Sequence, residues 1–225
     1  MVHTVPLPRE PLDPASGATR LWYEEELGWA TLPGEPVRLV TGVRFDVLEV
    51  PSDAGFAALR HLGPTRAPGA APVALCGARM LLLVAAGSAE ELPGLLAWLE
   101  WGSLAVDLTA TGAGGHVRAP RPPRRSPAPA PASPVAVADP PVAHPSGRSG
   151  TPARRLPLGR SGTQGDAVWL RPPAPGCEAE LWLPTLSAVR GEGDAPDLVR
   201  LVDTVAAQCH RVRLRRSCAQ PFAFS

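Results

Sequence analysis

Apolar and polar residues alternate through "VRLV" (37–40) and again through "VRFDVLEV" (43–50), the period of two that a half-buried strand requires. Val43, Phe45 and Val47 form one apolar set, Thr41 and Gly42 separate the two runs, and no turn signal intervenes before Pro51. The pattern predicts two strands. Ser52 is placed to cap the next segment, where Phe56, Leu59 and Leu62 recur at helical spacing until Gly63-Pro64 stop them, so a strand passes directly into a short helix. "PVALCGARMLLLVAAG" (72–87) reads as a hairpin turning near Gly77, its second arm wholly apolar and therefore central. Ser88 with Glu91 resembles a capping box, and Leu92, Leu95, Leu96 and Leu99 form the stripe of an amphipathic helix.

"LAVDL" (104–108) and "HVRAP" (116–120) read as two short strands joined by the glycine-rich turn "TATGAGG". The expected central sheet therefore includes residues 37–50, 72–86 and 103–119. Toward the N-terminus, the Glu-rich stretch ending at Gly28 predicts a helix with a glycine stop. Toward the C-terminus, "DAVWLRPP" (166–173) predicts a strand. The last element is a strong helix with Asp194 as cap, Pro196 in the first turn, and Leu198, Leu201, Val202, Val205 and Cys209 on one face.

Composition divides the chain. Residues 1–14 are proline-rich with little to bury and predict a disordered leader; 119–165 carry Pro, Arg, Ser and Gly with almost no large apolar side chains, so burial cannot offset the entropy of ordering and a disordered insert is expected. The core is then one domain in two parts, 15–118 and 166–216, with a tail at 217–225. The formal net charge of +1 provides no global field toward polyanions. All the basic residues are Arg, and Lys, Ile and Asn are missing altogether, a bias that follows GC-rich codons and weakens Arg richness as a nucleic-acid signal. Cys76, Cys177, Cys209 and Cys218 show neither a C-x-x-C pair nor a His at metal-ligand spacing, which suggests separate thiols in a reducing cytoplasm rather than zinc or disulfides. The longest apolar run, Met80–Ala86, is far short of the roughly 20 residues that span a bilayer, so no membrane partner is expected.

The succession of "TGVRFDVLEVP", a helix, "GARMLLLV", a second helix, "VDL…GAGGHVRAP" and "VWLRPP" resembles the N-terminal domain of the bifunctional DNA primase/polymerase (prim-pol) family, most closely its short stand-alone actinobacterial versions. The likeness covers roughly residues 20–120 and 165–215. It implies an α+β fold like that of the archaeo-eukaryotic primases, an RRM-like mixed sheet flanked by helices and here interrupted by the Pro-rich insert. It also implies two-metal nucleotidyl transfer, in which clustered carboxylates hold Mg or Mn ions that activate a 3'-hydroxyl and neutralise a triphosphate. Carried over residue by residue, Glu49 falls at the first metal carboxylate, Pro51 at the second, Met80 at a nucleotide-contacting histidine and Asp107 at a third acidic position. Proline offers no side-chain donor, and a thioether suits soft metals rather than Mg²⁺ or Mn²⁺. The resemblance thus implies a catalytically degenerate member that binds nucleotide or DNA or acts as a regulatory module, with Arg79, Gly114, Gly115 and His116 as the nucleotide-contacting candidates.

Other readings stand beside this one. An active template-directed nucleotidyltransferase would hold its metals on Glu49, Asp107 and a further group. A protein-interaction module would use PxxP-like spacing in the insert, as in "PRPPRRSP", to engage a protein partner. Glu49 as a solvent-facing strand residue, Asp46 as an exposed residue on the opposite face, Asp107 as a turn cap, Arg79 as a solvated hairpin arginine and His116 as a surface histidine are the plainer assignments. Arg211, Arg213, Arg215 and Arg216 either complement the C-terminus of the last helix or form a nucleic-acid patch.

Overall fold

The computed structural model describes residues 14–63, 71–123, 166–174, 183–186 and 197–218. Its elements in chain order are α1 (Pro14–Leu21), a π-helical turn (Trp22–Glu26), β1 (Thr31–Leu32), β2 (Arg38–Val40), β3 (Phe45–Pro51), α2 (Ser52–Leu62), β4 (Val73–Cys76), β5 (Arg79–Ala85), α3 (Ser88–Trp98), β6 (Thr109–Thr111), β7 (His116–Arg118), β8 (Ala167–Arg171) and α4 (Leu198–Cys218). Among the described residues no helix is long and apolar enough to cross a membrane.

The strands form two sheets, one of five strands ordered β6-β3-β5-β4-β8 and one of three ordered β1-β2-β7. Every strand pairing in both is antiparallel. Consequently β3 and β4, both antiparallel to β5, run the same way and are joined through α2. β5 and β6 likewise run the same way across β3 and are joined through α3. This is the β-α-β-β-α-β arrangement of two split crossovers, with β8 added beside β4. The fold is therefore α+β, but the mixed sheet expected from the sequence is replaced by antiparallel ones, because each crossover returns its strand one place beyond a neighbour instead of next to it. The single expected sheet is also divided: Arg38–Val40 and His116–Arg118 pair with each other, away from β3 and β5.

The five-stranded sheet is covered on both faces. Leu48 and Val50 of β3, with Met80, Leu82 and Val84 of β5, face α2, α3 and α4, where Leu92, Leu95, Leu198, Val202 and Val205 meet them. Phe45 and Val47, with Leu81 and Leu83, face a second cluster built on Trp22, Tyr23, Trp29 and Leu39. The Tyr23 hydroxyl donates to the Pro120 carbonyl at 2.6 Å and accepts from Trp169 Nε1 at 3.0 Å, tying the N-terminal helical segment to the strands on either side of the insert. The ends of that insert are themselves joined: the Arg121 N–H donates to the Ala167 carbonyl at 3.0 Å, and Asp166 bridges Arg118 and Arg121 at 3.3 and 2.6 Å. The leader expected over 1–14 and most of the insert expected over 119–165 lie outside the described residues, and Pro14 and Ala119–Pro123 belong to the structure.

Several local expectations are corrected. α2 turns Ala54, Gly55 and Ala58 inward, leaving Phe56 43% exposed. Small residues are required there because a Cβ on Gly55 would lie 2.3 Å from Met80 Sδ; Leu59 and Leu62 of the expected stripe pack partly buried against the same core, and Phe56 does not. Neither Ser52 nor Ser88 makes a side-chain cap. Instead, Asp46 Oδ2 accepts from the Ala89 N–H at 2.9 Å and caps α3 from β3. "LAVDL" is not a strand; β6 begins at Thr109, after Asp107. The Asp194 cap and Pro196 lie outside the described residues, and at the start of α4 it is Asp197 Oδ1 that accepts from the Val199 N–H.

Candidate functional site

β3 alternates between the two faces of its sheet, so Glu49 follows Phe45 and Val47 onto the face away from α2, α3 and α4. In the antiparallel register Glu49 lies opposite Leu81 and Thr109, and Pro51 lies opposite Arg79. Arg79 is thus diagonal to Glu49 on the same face, and Asp107, two residues before Thr109, arrives there from the other side.

These three side chains meet. Arg79 Nε donates to Glu49 Oε1 at 2.9 Å, Nη1 to Asp107 Oδ1 at 2.6 Å, and Nη2 to the Glu49 carbonyl at 3.2 Å. The two carboxylates singled out in the sequence are brought to one place, with the guanidinium between them. Burial works against the Arg79 charge, yet hydrogen bonds and charge from Asp107 and Glu49 outweigh it and raise the pKa above its ordinary value. The side chains of Arg79, Glu49 and Asp107 are 27%, 34% and 51% exposed, so the cluster is a rim feature within reach of water.

The metals that the primase/polymerase resemblance implies do not fit this donor set. Glu49 and Asp107 each spend an oxygen on Arg79, Pro51 has no ligand atom, and among the described residues no group of three or more His, Cys, Asp or Glu is arranged to hold an ion. Met80 is fully buried in the helix-side core, and its thioether lies against Gly55. Arg79 and Met80 are successive residues of one strand and point to opposite faces. A histidine at position 80 would enter the core instead of facing Glu49.

The other nucleotide candidates are elsewhere. Thr111 pairs with Val47 and through it with Leu83, four rows from the Pro51–Arg79 pair, or about 13 Å at strand rise. The glycine turn that follows Thr111 is therefore separated from Arg79. Its backbone is occupied locally: Gly115 N–H donates to the Gly112 carbonyl, whose oxygen also accepts from Thr41 Oγ1 at 2.7 Å, and the Thr41 N–H donates to the Gly115 carbonyl. Gly42, at φ 83°, passes so close that a Cβ would lie 2.2 Å from Ala113 Cα. Gly114 is exposed at the tip, and His116 Nε2 lies 3.1 Å from Arg38 Nη1 in the three-stranded sheet.

Asp46, expected to be exposed, is fully buried. Burial raises its pKa; the Ala89 N–H opposes this, the Glu90 charge adds to it, and the N–H groups of Gly87 and Gly42 oppose it. Its Oδ1 has no partner among the described residues. Beside the Arg79 cluster, an open cleft of about 390 Å³ is lined by Pro51, Asp107, Cys209, Arg213 and Arg216, among others. Cys209 donates to the Asp107 carbonyl at 3.4 Å, and burial followed by the charge of Asp107, partly opposed by Arg79, pushes its thiol up to about 12, so it is no nucleophile at neutral pH.

No protein-family model matches the chain, and comparisons with curated proteins and with solved structures returned no match.

Proposed function

We propose that this chain is a primase/polymerase-like domain whose catalytic position has been closed by an internal cation, leaving a nucleic-acid-binding or regulatory module. The observation that carries the reading is Arg79, whose guanidinium engages Glu49 and Asp107 together. A protein cation there supplies positive charge at a fixed position but exchanges no ligands, so it neither activates a 3'-hydroxyl nor follows a leaving pyrophosphate. The β-α-β-β-α-β order, with this cluster on the face away from the crossover helices, supports an RRM-like half as its scaffold. The active-nucleotidyltransferase alternative requires both carboxylates to release Arg79 and a further donor to replace Pro51.

Labelled-dNTP incorporation on a single-stranded template, with Mg²⁺ or Mn²⁺, tests the reading beside the Glu49→Ala, Asp107→Ala double variant. Neither protein is expected to incorporate label. Incorporation by the natural chain that disappears in the double variant refutes the closed site and establishes the enzyme.

A further inference from the structure

The last two turns of α4 contain four arginines, Arg211, Arg213, Arg215 and Arg216, and no acidic residue. All four are exposed. A favourable interaction with the helix dipole is confined to about the last turn, so it accounts for Arg215 and Arg216; Arg213 is held by the Ala105 carbonyl, and Arg211 is left unexplained. Their ion pairing is slight: the one salt bridge found for the four among the described residues is Arg216 to Asp53 at 3.5 Å, with side chains 63% and 72% exposed.

One aromatic residue packs on α4 beside these arginines, and a second lies one turn before it in sequence. Trp101 donates to Asp203 Oδ1 at 2.9 Å, and its ring centroid is 6.0 Å from that of His210. Arg213 Nη1 donates to the Ala105 carbonyl at 2.6 Å, which draws the segment after Trp101 along α4 toward the arginines. Asp203, His210 and Leu214 fall on one stripe of the helix, and periodicity places Arg211 and Arg215 on one side of it and Arg213 and Arg216 on the other. Leu214 is 51% exposed, and Trp98, three residues before Trp101, is 72% exposed. An indole this open at the end of a core helix has not been recruited to packing.

We infer that this end of α4, with Trp98 and Trp101, is a binding strip for single-stranded nucleic acid, its arginines holding phosphates and its rings stacking on bases. His210 on the stripe that separates the arginines, Trp101 beside it and the flanking guanidinium groups combine the base stacking and phosphate holding that a single strand requires. A duplex hides its base faces, and an anionic bilayer calls for a broader apolar stripe than Leu214 supplies. The inference extends the nucleic-acid side of the proposed function to α4, whose Arg213 and Arg216 share a cleft with Asp107.

Fluorescence anisotropy of labelled oligothymidylate and oligouridylate tests it on the full chain, beside Trp98→Ala and the Arg211→Ala, Arg215→Ala pair. Circular dichroism melts verify that these exposed changes leave the fold intact. Trp98→Ala is expected to weaken binding roughly 5- to 150-fold, the range of one lost base stack. The paired arginine variant should flatten the dependence of log K on log salt by about 1.4, two charges at about 0.7 each. Failure of the natural chain to bind either oligonucleotide, equal binding by natural chain and variants, or tighter binding to phosphatidylserine vesicles or duplex DNA overturns the strip. None of these variants alters the Arg79 cluster, so dNTP incorporation by the natural chain would refute the closed site and leave the strip standing.

Discussion

Arg79→Ala separates an internal cation from a metal site. The substitution deletes three donor contacts, at 2.9 Å and 3.2 Å to Glu49 and 2.6 Å to Asp107. Charged hydrogen bonds in a dry interior contribute about 1.5–3 kcal/mol each, but with 27–51% of these side chains exposed the value for exposed ion pairs, about 0.2–1 kcal/mol, is the better guide. We therefore expect a loss of about 1–2 kcal/mol, or about 3–6 °C in a chain of this size. The variant also leaves Glu49 and Asp107 without their cation. They should then bind Mn²⁺ weakly, and combining the change with Pro51→Asp should strengthen that site, because position 51 shares a face of β3 with Glu49 and adds a third carboxylate there.

The assay is a set of thermal melts with increasing Mn²⁺. For a site with Kd about 1 mM, about 10 mM Mn²⁺ stabilises the native state by about 1.4 kcal/mol, enough to restore most of the Arg79→Ala loss. The natural chain should show no comparable rise. An equal rise in the natural chain would refute the argument, since it would mean that Arg79 leaves the carboxylates for a metal. An Arg79→Ala midpoint unchanged in the absence of Mn²⁺ would show that the contacts stabilise nothing.

Asp46→Asn should change the pH dependence of stability. Burial raises the native pKa of Asp46 above its unfolded value, so between those values the native state binds more protons, and the natural chain loses stability as pH rises through that window. Asn caps helices nearly as well as Asp, so the variant should gain on the natural chain from acid to neutral pH in denaturant midpoints; a constant difference would refute the assignment. Gly42→Ala forces a side chain at φ 83° into the Ala113 backbone and should cost about 2–5 kcal/mol by urea denaturation, whereas Gly114→Ala, with open space around it, should lose only the positive-φ share. Because Arg121 pairs with Ala167 and Asp166, replacing residues 124–165 with a short Gly-Ser linker should preserve the thermal midpoint, and a fall of several degrees would show that the segment contributes to the core.

Elements with strong periodicity were legible in the sequence. The β4–β5 hairpin, α3 and α4 follow from their leucine and valine spacing, and the direct passage from β3 into α2 follows from Pro51-Ser52. Asp46 was not legible as a cap. Alternation suggests that a carboxylate between Phe45 and Val47 faces water, but β3 is covered on both faces, and the α3 N-terminus that needs Asp46 lies 43 residues away. β6 was misplaced because its three residues, Thr-Ala-Thr, carry less apolar signal than the preceding "LAVDL", which packs Leu108 inward without pairing as a strand. The position of Met80 was partly legible, since neighbours in a strand cannot share a face, and either Arg79 or Met80 had to leave the site.

The charge of the Arg79 cluster bears on both proposed surfaces. Glu49 and Asp107 carry two negative charges and Arg79 one positive charge, so the cluster is net negative even when closed. A triphosphate or a strand backbone approaching it would meet a residual negative charge, and the guanidinium that should grip it is already engaged at three points. The place where catalysis would be expected is therefore a poor receptor for the polyanion that catalysis requires. The cleft beside it carries both signs, Asp107 together with Arg213 and Arg216 of α4. A phosphate in that cleft meets Arg213 and Arg216 as well as Asp107, so the arginines offset the carboxylate there. Under the proposed function, polyanion binding falls to the helix rather than to Glu49 and Asp107, the arrangement expected of a domain that holds a strand without copying it.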